Sequence, residues 1–122
     1  MKIAVSIQDP DLNNSKLTGL TREMVADLGR RPGLEAESFE DSPQTGSKGD
    51  PVAVGKFILQ LLGSGGAVTV LLNGFKAYFL RRQTLKVDIK RADGAKFSLH
   101  AENMSDHNLA VTATQLTRFL KG

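Results

Sequence analysis

The chain has no cysteine and only two histidines, His100 and His107, among its 122 residues. The first absence removes disulfide staples, thiolate metal sites and cysteine nucleophiles together, and it fits a reducing compartment. The second leaves little for imidazole chemistry. A metal site would need both histidines to converge with further ligands such as Glu102 or Asp106, and a triad would need a poised nucleophile, so both read as surface residues. A phosphate loop is missing too. Gly46-Ser47-Lys48-Gly49-Asp50 fails the GxxxxGK[ST] spacing, and Gly63-Ser64-Gly65-Gly66 lacks GxGxxG and follows an apolar run that reads as a helix, not a strand. The pairs Glu35/Glu37 and Glu40/Asp41 are too close along the chain to oppose each other as acid and base, and read as solubilising charge. No catalytic residue, metal or cofactor is expected, and the chain is not expected to be an enzyme. The opening Met1-Lys2-Ile3-Ala4-Val5-Ser6-Ile7 holds an apolar run too brief for a signal-peptide core, so cytoplasmic synthesis without cleavage is expected.

What is present suits one folded unit. A hydrophobic fraction of 40% with 24% charged residues is that of an ordinary globular chain, and the length supports one core, so residues 1–122 read as a single domain. The net charge of +3 conceals an asymmetry. Residues 1–55 hold six Lys and Arg against nine Asp and Glu, whereas residues 56–122 hold ten against four. A basic half attracts acidic partners, anionic lipid or nucleic acid over about a Debye length, roughly 8 Å in physiological salt. Lys86, Lys90, Arg91 and Lys96 gather around one predicted hairpin, but only Phe97 lies near them for base stacking, so nucleic acid is not expected as a partner.

Periodicity gives the elements. Ile3, Val5 and Ile7 alternate as a strand, which Asp9-Pro10-Asp11 ends. Leu17, Leu20, Met24 and Leu28 recur at helical spacing up to Gly29. Leu34 to Phe39 is a second strand, half exposed or at an edge because glutamates alternate in it. Strand, helix, strand in this order can set the two strands parallel. Glu40 to Asp50 reads as a loop. Asp50 is placed to cap a helix opening at Pro51 and running to Leu62. Val68, Leu71, Leu72, Phe75 and Phe79 mark the next helix. Leu85, Val87 and Ile89, the turn Ala92-Asp93-Gly94, and Phe97, Leu99 and Ala101 form a β-hairpin. Ser105 is expected to cap a last helix with Leu109, Ala113, Leu116, Phe119 and Leu120 on one face.

The expected fold is therefore α+β, with a four-stranded mixed, partly antiparallel sheet and the order β-α-β-α-α-β-β-α. A central apolar helical hairpin over about residues 51–82 supplies much of its core. The 19 residues from Phe57 to Phe75 carry no charge, which touches the lower length for spanning a bilayer. Glycines at the centre of the run, with Gln60 and Asn73, make two shorter helices the better reading. A core hairpin, a partner or self-association surface, and a membrane contact all remain open for it. The small residues Gly55, Gly63, Ala67, Gly74 and Ala77 permit close helix approach in any of these.

Three stretches together carry a resemblance over nearly the whole chain: LTGLTREMVADLGRRPGLEAE, then GSKGDPVAVGKFILQLLGSGGAVTVLLNGFKAYFLRR, then the basic hairpin. They resemble the effector-associated constant component family of bacterial conflict systems. The resemblance implies a non-enzymatic adaptor in an antiviral defence system, partnered by a protease, an NTPase or a variable effector. It assigns no residue a role. Lys48, Gly49, Asp50, Arg81 and Arg82 are named as partner-contact positions, with a helix start and a helix end as their structural reading. The rival function is a membrane-engaging effector that releases the apolar hairpin.

Overall fold

A computed structural model describes residues 1–38, 54–62 and 66–121. The loop expected at 40–50 and the Asp50-Pro51 helix start lie outside the described residues. The elements are β1 (Lys2–Gln8), α1 (Asn14–Gly29), β2 (Leu34–Ser38), β3 (Gly55–Leu61), α2 (Gly66–Arg81), β4 (Lys86–Lys90), β5 (Lys96–His100), a 3-10 turn (Ala101–Met104) and α3 (Leu109–Lys121).

The sheet has five strands in the order β2-β3-β1-β4-β5, and every neighbouring pair is antiparallel. This corrects the four-stranded mixed sheet, and the cause is one segment. Residues 55–61, expected in the first helix of an apolar hairpin, form β3 between β2 and β1. Phe57, Leu59 and Leu61 point into the core, while Ile58 and Gln60 are partly exposed on the other side. Ile58, an apolar residue on the open side between Lys56 and Gln60, masks the alternation that marks a strand in sequence. A capped helix start contributes about 1 kcal/mol. Burying three large apolar side chains contributes roughly 5 to 9 kcal/mol, and pairing on both sides adds to that, so the tertiary terms prevail. The apolar hairpin is thus a strand followed by a helix.

β1 and β2 do run in the same direction, since both are antiparallel to β3. They are not neighbours, because β3 is inserted between them. β2 is an edge strand, as its glutamates imply. In α1 the Asn13 side chain accepts the Lys16 N–H at 2.9 Å, and Leu17, Met24 and Leu28 are buried. In α2 the expected face, Val68, Leu71, Leu72, Phe75 and Phe79, is buried throughout. Gly74 lets α2 approach α1: a Cβ there would lie 2.6 Å from Leu28 Cδ2 and 3.1 Å from Arg31 Nε. The β4–β5 turn closes through Gly94 at φ 95°, with Gly94 N–H on Arg91 O and Arg91 N–H on Ala95 O.

Helix α3 begins at Leu109, later than a Ser105 cap would place it. Ser105 contributes its carbonyl, which accepts Asn108 N–H and Leu109 N–H. Leu116 and Leu120 are buried, and Phe119 lies 5.4 Å from Phe97 between ring centroids. One cluster joins Ile3, Val5, Ile7, Leu34, Phe57, Leu59, Leu61, Val87, Ile89 and Leu99 of the sheet to the helices. All of these sheet residues lie on one face.

Candidate functional site

Of the five contact positions named from sequence, Lys48, Gly49 and Asp50 lie outside the described residues. The other two are drawn apart. Arg82 Nε donates to Asp9 Oδ2 at 2.7 Å, and the Asp9 side chain is 0% exposed. Its other oxygen accepts Thr84 Oγ1 at 2.7 Å and Asp11 N–H at 2.9 Å. Burial by itself would raise the Asp9 pKa, but the Arg82, Thr84 and Asp11 hydrogen bonds outweigh it and hold the carboxyl below its ordinary value. This cluster pins the end of β1 to the link between α2 and β4.

Arg81 turns to α1. It donates to Glu23 Oε2 at 3.0 Å and lies 4.9 Å from the centroid of the Tyr78 ring. The Tyr78 hydroxyl donates to Asp27 Oδ2 at 3.3 Å, and Arg31 reaches the same oxygen at 3.5 Å. Burial, together with the charges of Asp27 and Glu23, pushes Tyr78 up to about 12. Both arginines therefore hold α2 to its neighbours in this chain. His100 ends β5 and His107 lies in the turn before α3, both exposed. Among the described residues no group of three or more His, Cys, Asp or Glu could hold a metal ion.

The feature that sequence reasoning missed is the far face of the sheet. Register puts Lys2, Ala4, Ser6 and Gln8 of β1 beside Lys56, Ile58 and Gln60 of β3, and beside Lys86, Asp88 and Lys90 of β4. Glu35 and Glu37 of β2 flank one side, and Lys96, Ser98 and His100 of β5 the other. Every one of these residues is partly or fully exposed, whereas the alternate residues are in the core or packed against it. Among the described residues no helix covers this face.

Its charge is graded. The two glutamates sit on β2, while Lys56, Lys86, Lys90 and Lys96 spread over β3, β4 and β5. Asp88 is the one carboxylate of the β4–β5 half, and it accepts Ser98 Oγ at 2.6 Å. Lys90 lies directly opposite Lys96. Like charges across such a pair are destabilising, so this corner is electropositive at some cost to the sheet. The signal was present in sequence as the basic hairpin, but only topology adds Lys56 and Lys2 to it.

No described helix is long and apolar enough to cross a membrane. A family model described as Effector Associated Constant Component 1 matches residues 10–118. No curated protein and no solved structure matches the chain.

Proposed function

Because this chain belongs to the Effector Associated Constant Component 1 family, we propose that it is a non-enzymatic adaptor of a bacterial conflict system, and that it docks partner proteins on the uncovered face of its sheet. The partners would be proteins encoded nearby, such as a protease, an NTPase or a variable effector, met in the cytoplasm during antiviral defence. The observation that carries the reading is the lysine-rich open face, where four cations of β3, β4 and β5 have no ion-pair partner among the described residues. Among the described residues, a layer of helices on one side and an uncovered charged sheet on the other is an arrangement for presenting a surface. The membrane-engaging alternative depended on a releasable pair of apolar helices. With residues 55–61 in the middle of the sheet and the apolar face of α2 buried, it has lost its device.

A tagged pull-down from the native host, with soluble and membrane fractions separated and identified by mass spectrometry, tests this. Wild-type chain is expected to retain a protease, NTPase or effector from the soluble fraction. A chain carrying Lys56→Glu, Lys90→Glu and Lys96→Glu is expected to lose it while staying folded. Equal recovery by both chains would remove the open face from the proposal, and recovery of wild type only with membranes would overturn the adaptor itself.

A further inference from the structure

We infer that the free edge of β5 takes an acidic extended segment of a partner protein as a sixth strand. The inference rests on the adaptor reading and specifies where and how contact is made. In an antiparallel pair, residues alternate between those that hydrogen-bond the neighbouring strand and those that point away from it. Arg91 N–H on Ala95 O fixes that alternation, so Phe97 and Leu99 bond β4 while Lys96, Ser98 and His100 direct their backbone groups outward. The outward N–H of His100 already has a partner, Asn103 Oδ1 at 3.1 Å. Among the described residues those of Lys96 and Ser98 have none. Two amides and their carbonyls are left, enough to register a short strand.

Among the described residues, the other edge is obstructed at Ala36. Leu62 N–H on Gly33 O sets the phase of the β2–β3 pair and turns the Ala36 backbone outward. Gly29, the last residue of α1, lies against that backbone: a Cβ there would sit 3.7 Å from Ala36 N and 4.0 Å from Ala36 O. A copy of this chain therefore cannot join its β2 edge to β5 without moving α1. Two β5 edges are poorly matched, since each strand brings Lys96 and His100 and neither brings a carboxylate. The occupant that fits is a foreign strand with carboxylates on alternate residues, which would meet Lys96 and His100 and relieve the Lys90–Lys96 repulsion. Nucleic acid fits less well, because the exposed side of β4 and β5 offers no Phe, Tyr or Trp ring on which a base could stack.

The test uses the intact ¹⁵N-labelled chain and a short synthetic peptide alternating Glu with Val, with a Lys-for-Glu peptide and a single-stranded oligothymidylate as controls. At saturating acidic peptide, hydrogen exchange is expected to slow about tenfold at the Lys96 and Ser98 amides and to stay unchanged at Phe97 and Leu99. Ser98→Pro removes an outward backbone donor and no backbone bond to β4, losing only the exposed side-chain bond to Asp88, so it is expected to abolish this protection without unfolding the sheet. If that variant fails to fold, Lys90→Glu with Lys96→Glu replaces it and is expected to weaken peptide binding by at least about tenfold. Failure of the peptide to bind, binding without amide protection, equal binding of the Lys peptide, or tighter binding of the oligonucleotide would each overturn strand addition. Host partners held equally by wild type and Ser98→Pro would overturn it while sparing the adaptor. A wild-type chain that retains no host protein would instead remove the adaptor, and the peptide experiment would still decide the edge.

Discussion

Replacing Asp9 should destabilise this protein more than replacing any exposed charge. Its carboxylate is shut off from water and accepts three hydrogen bonds, from Arg82, Thr84 and Asp11. Removing one partner of a buried ion pair costs about 3–5 kcal/mol. Arg82 keeps 31% of its side-chain surface in solvent, and Thr84 has a second acceptor in Asp11 Oδ2 at 3.3 Å. The groups left behind are thus partly satisfied, which puts Asp9→Ala near the lower end, about 3 kcal/mol. Asp9→Asn keeps the shape and the bonds from Thr84 and Asp11 but presents a neutral amide to Arg82, for about 2 kcal/mol. Urea unfolding at neutral pH measures both. The depressed pKa supplies a second readout. A carboxyl whose folded pKa lies below its unfolded value stabilises fully above the unfolded value, about 3.9 for Asp. That stability is lost as pH falls from there through the folded pKa. Asp93, held down by its hydrogen bond to Arg91, and Asp106, held down by Lys76, add to the same acid limb. Asp9→Asn should therefore flatten the wild-type loss of stability below about pH 4 without abolishing it. An Asp9→Ala chain within about 1 kcal/mol of wild type, or an Asn variant with an unchanged acid limb, would refute the reasoning.

Gly74→Ala should destabilise by about 1–2 kcal/mol, because overpacking against the buried Leu28 exceeds the gain in helix propensity; a stabilised variant would mean that α1 and α2 separate freely. Leu59→Ala should cost about 2–5 kcal/mol, while Ile58→Thr, on the open face, should cost under about 1 kcal/mol. Equal costs in thermal or urea unfolding would contradict the alternation of β3.

Most elements were legible because their local signal and their place in the fold agree. Ile3, Val5 and Ile7 alternate and are buried in alternation, and Val68 to Phe79 repeat at helical spacing and form a buried helical face. The β4–β5 hairpin announces itself through Asp93-Gly94 between alternating runs. β3 was not legible, since Ile58 on its open face joins Phe57 and Leu59 into one apolar run, and Phe57-Ile58-Leu59-Gln60-Leu61-Leu62 shows neither period cleanly. Asp9 could be read as a turn residue but not as a buried anion, because its partners Arg82 and Thr84 lie more than seventy positions away. The open face depended on the same missing strand: until β3 is placed between β2 and β1, Lys56 cannot be assigned to the face that Lys86, Lys90 and Lys96 share.

The basic excess of residues 56–122 divides largely along residue type, and that division bears on how the chain would meet its partners. Three of its four arginines, Arg81, Arg82 and Arg91, are committed within the fold, to Glu23, Asp9 and Asp93, and Arg91 also donates to Phe119 O at 2.6 Å, while Arg118 lies on α3 away from the sheet face. Lys76 is bound to Asp106. The cations left on the open face are all lysines: Lys56, Lys86, Lys90 and Lys96. A guanidinium is a rigid fork suited to one fixed geometry, whereas a lysine carries a compact charge on a flexible stem and can follow a carboxylate through several positions. Fixed pairs hold the helices to the sheet and to each other, and movable charges face outward. On the adaptor reading proposed above, such a surface would tolerate variation in the acidic segment it received. Exchanging Lys90 and Lys96 for arginine should therefore preserve net charge and salt dependence yet narrow the set of acidic peptides bound. An unchanged set would show that charge alone governs recognition and that the lysine stems contribute nothing to it.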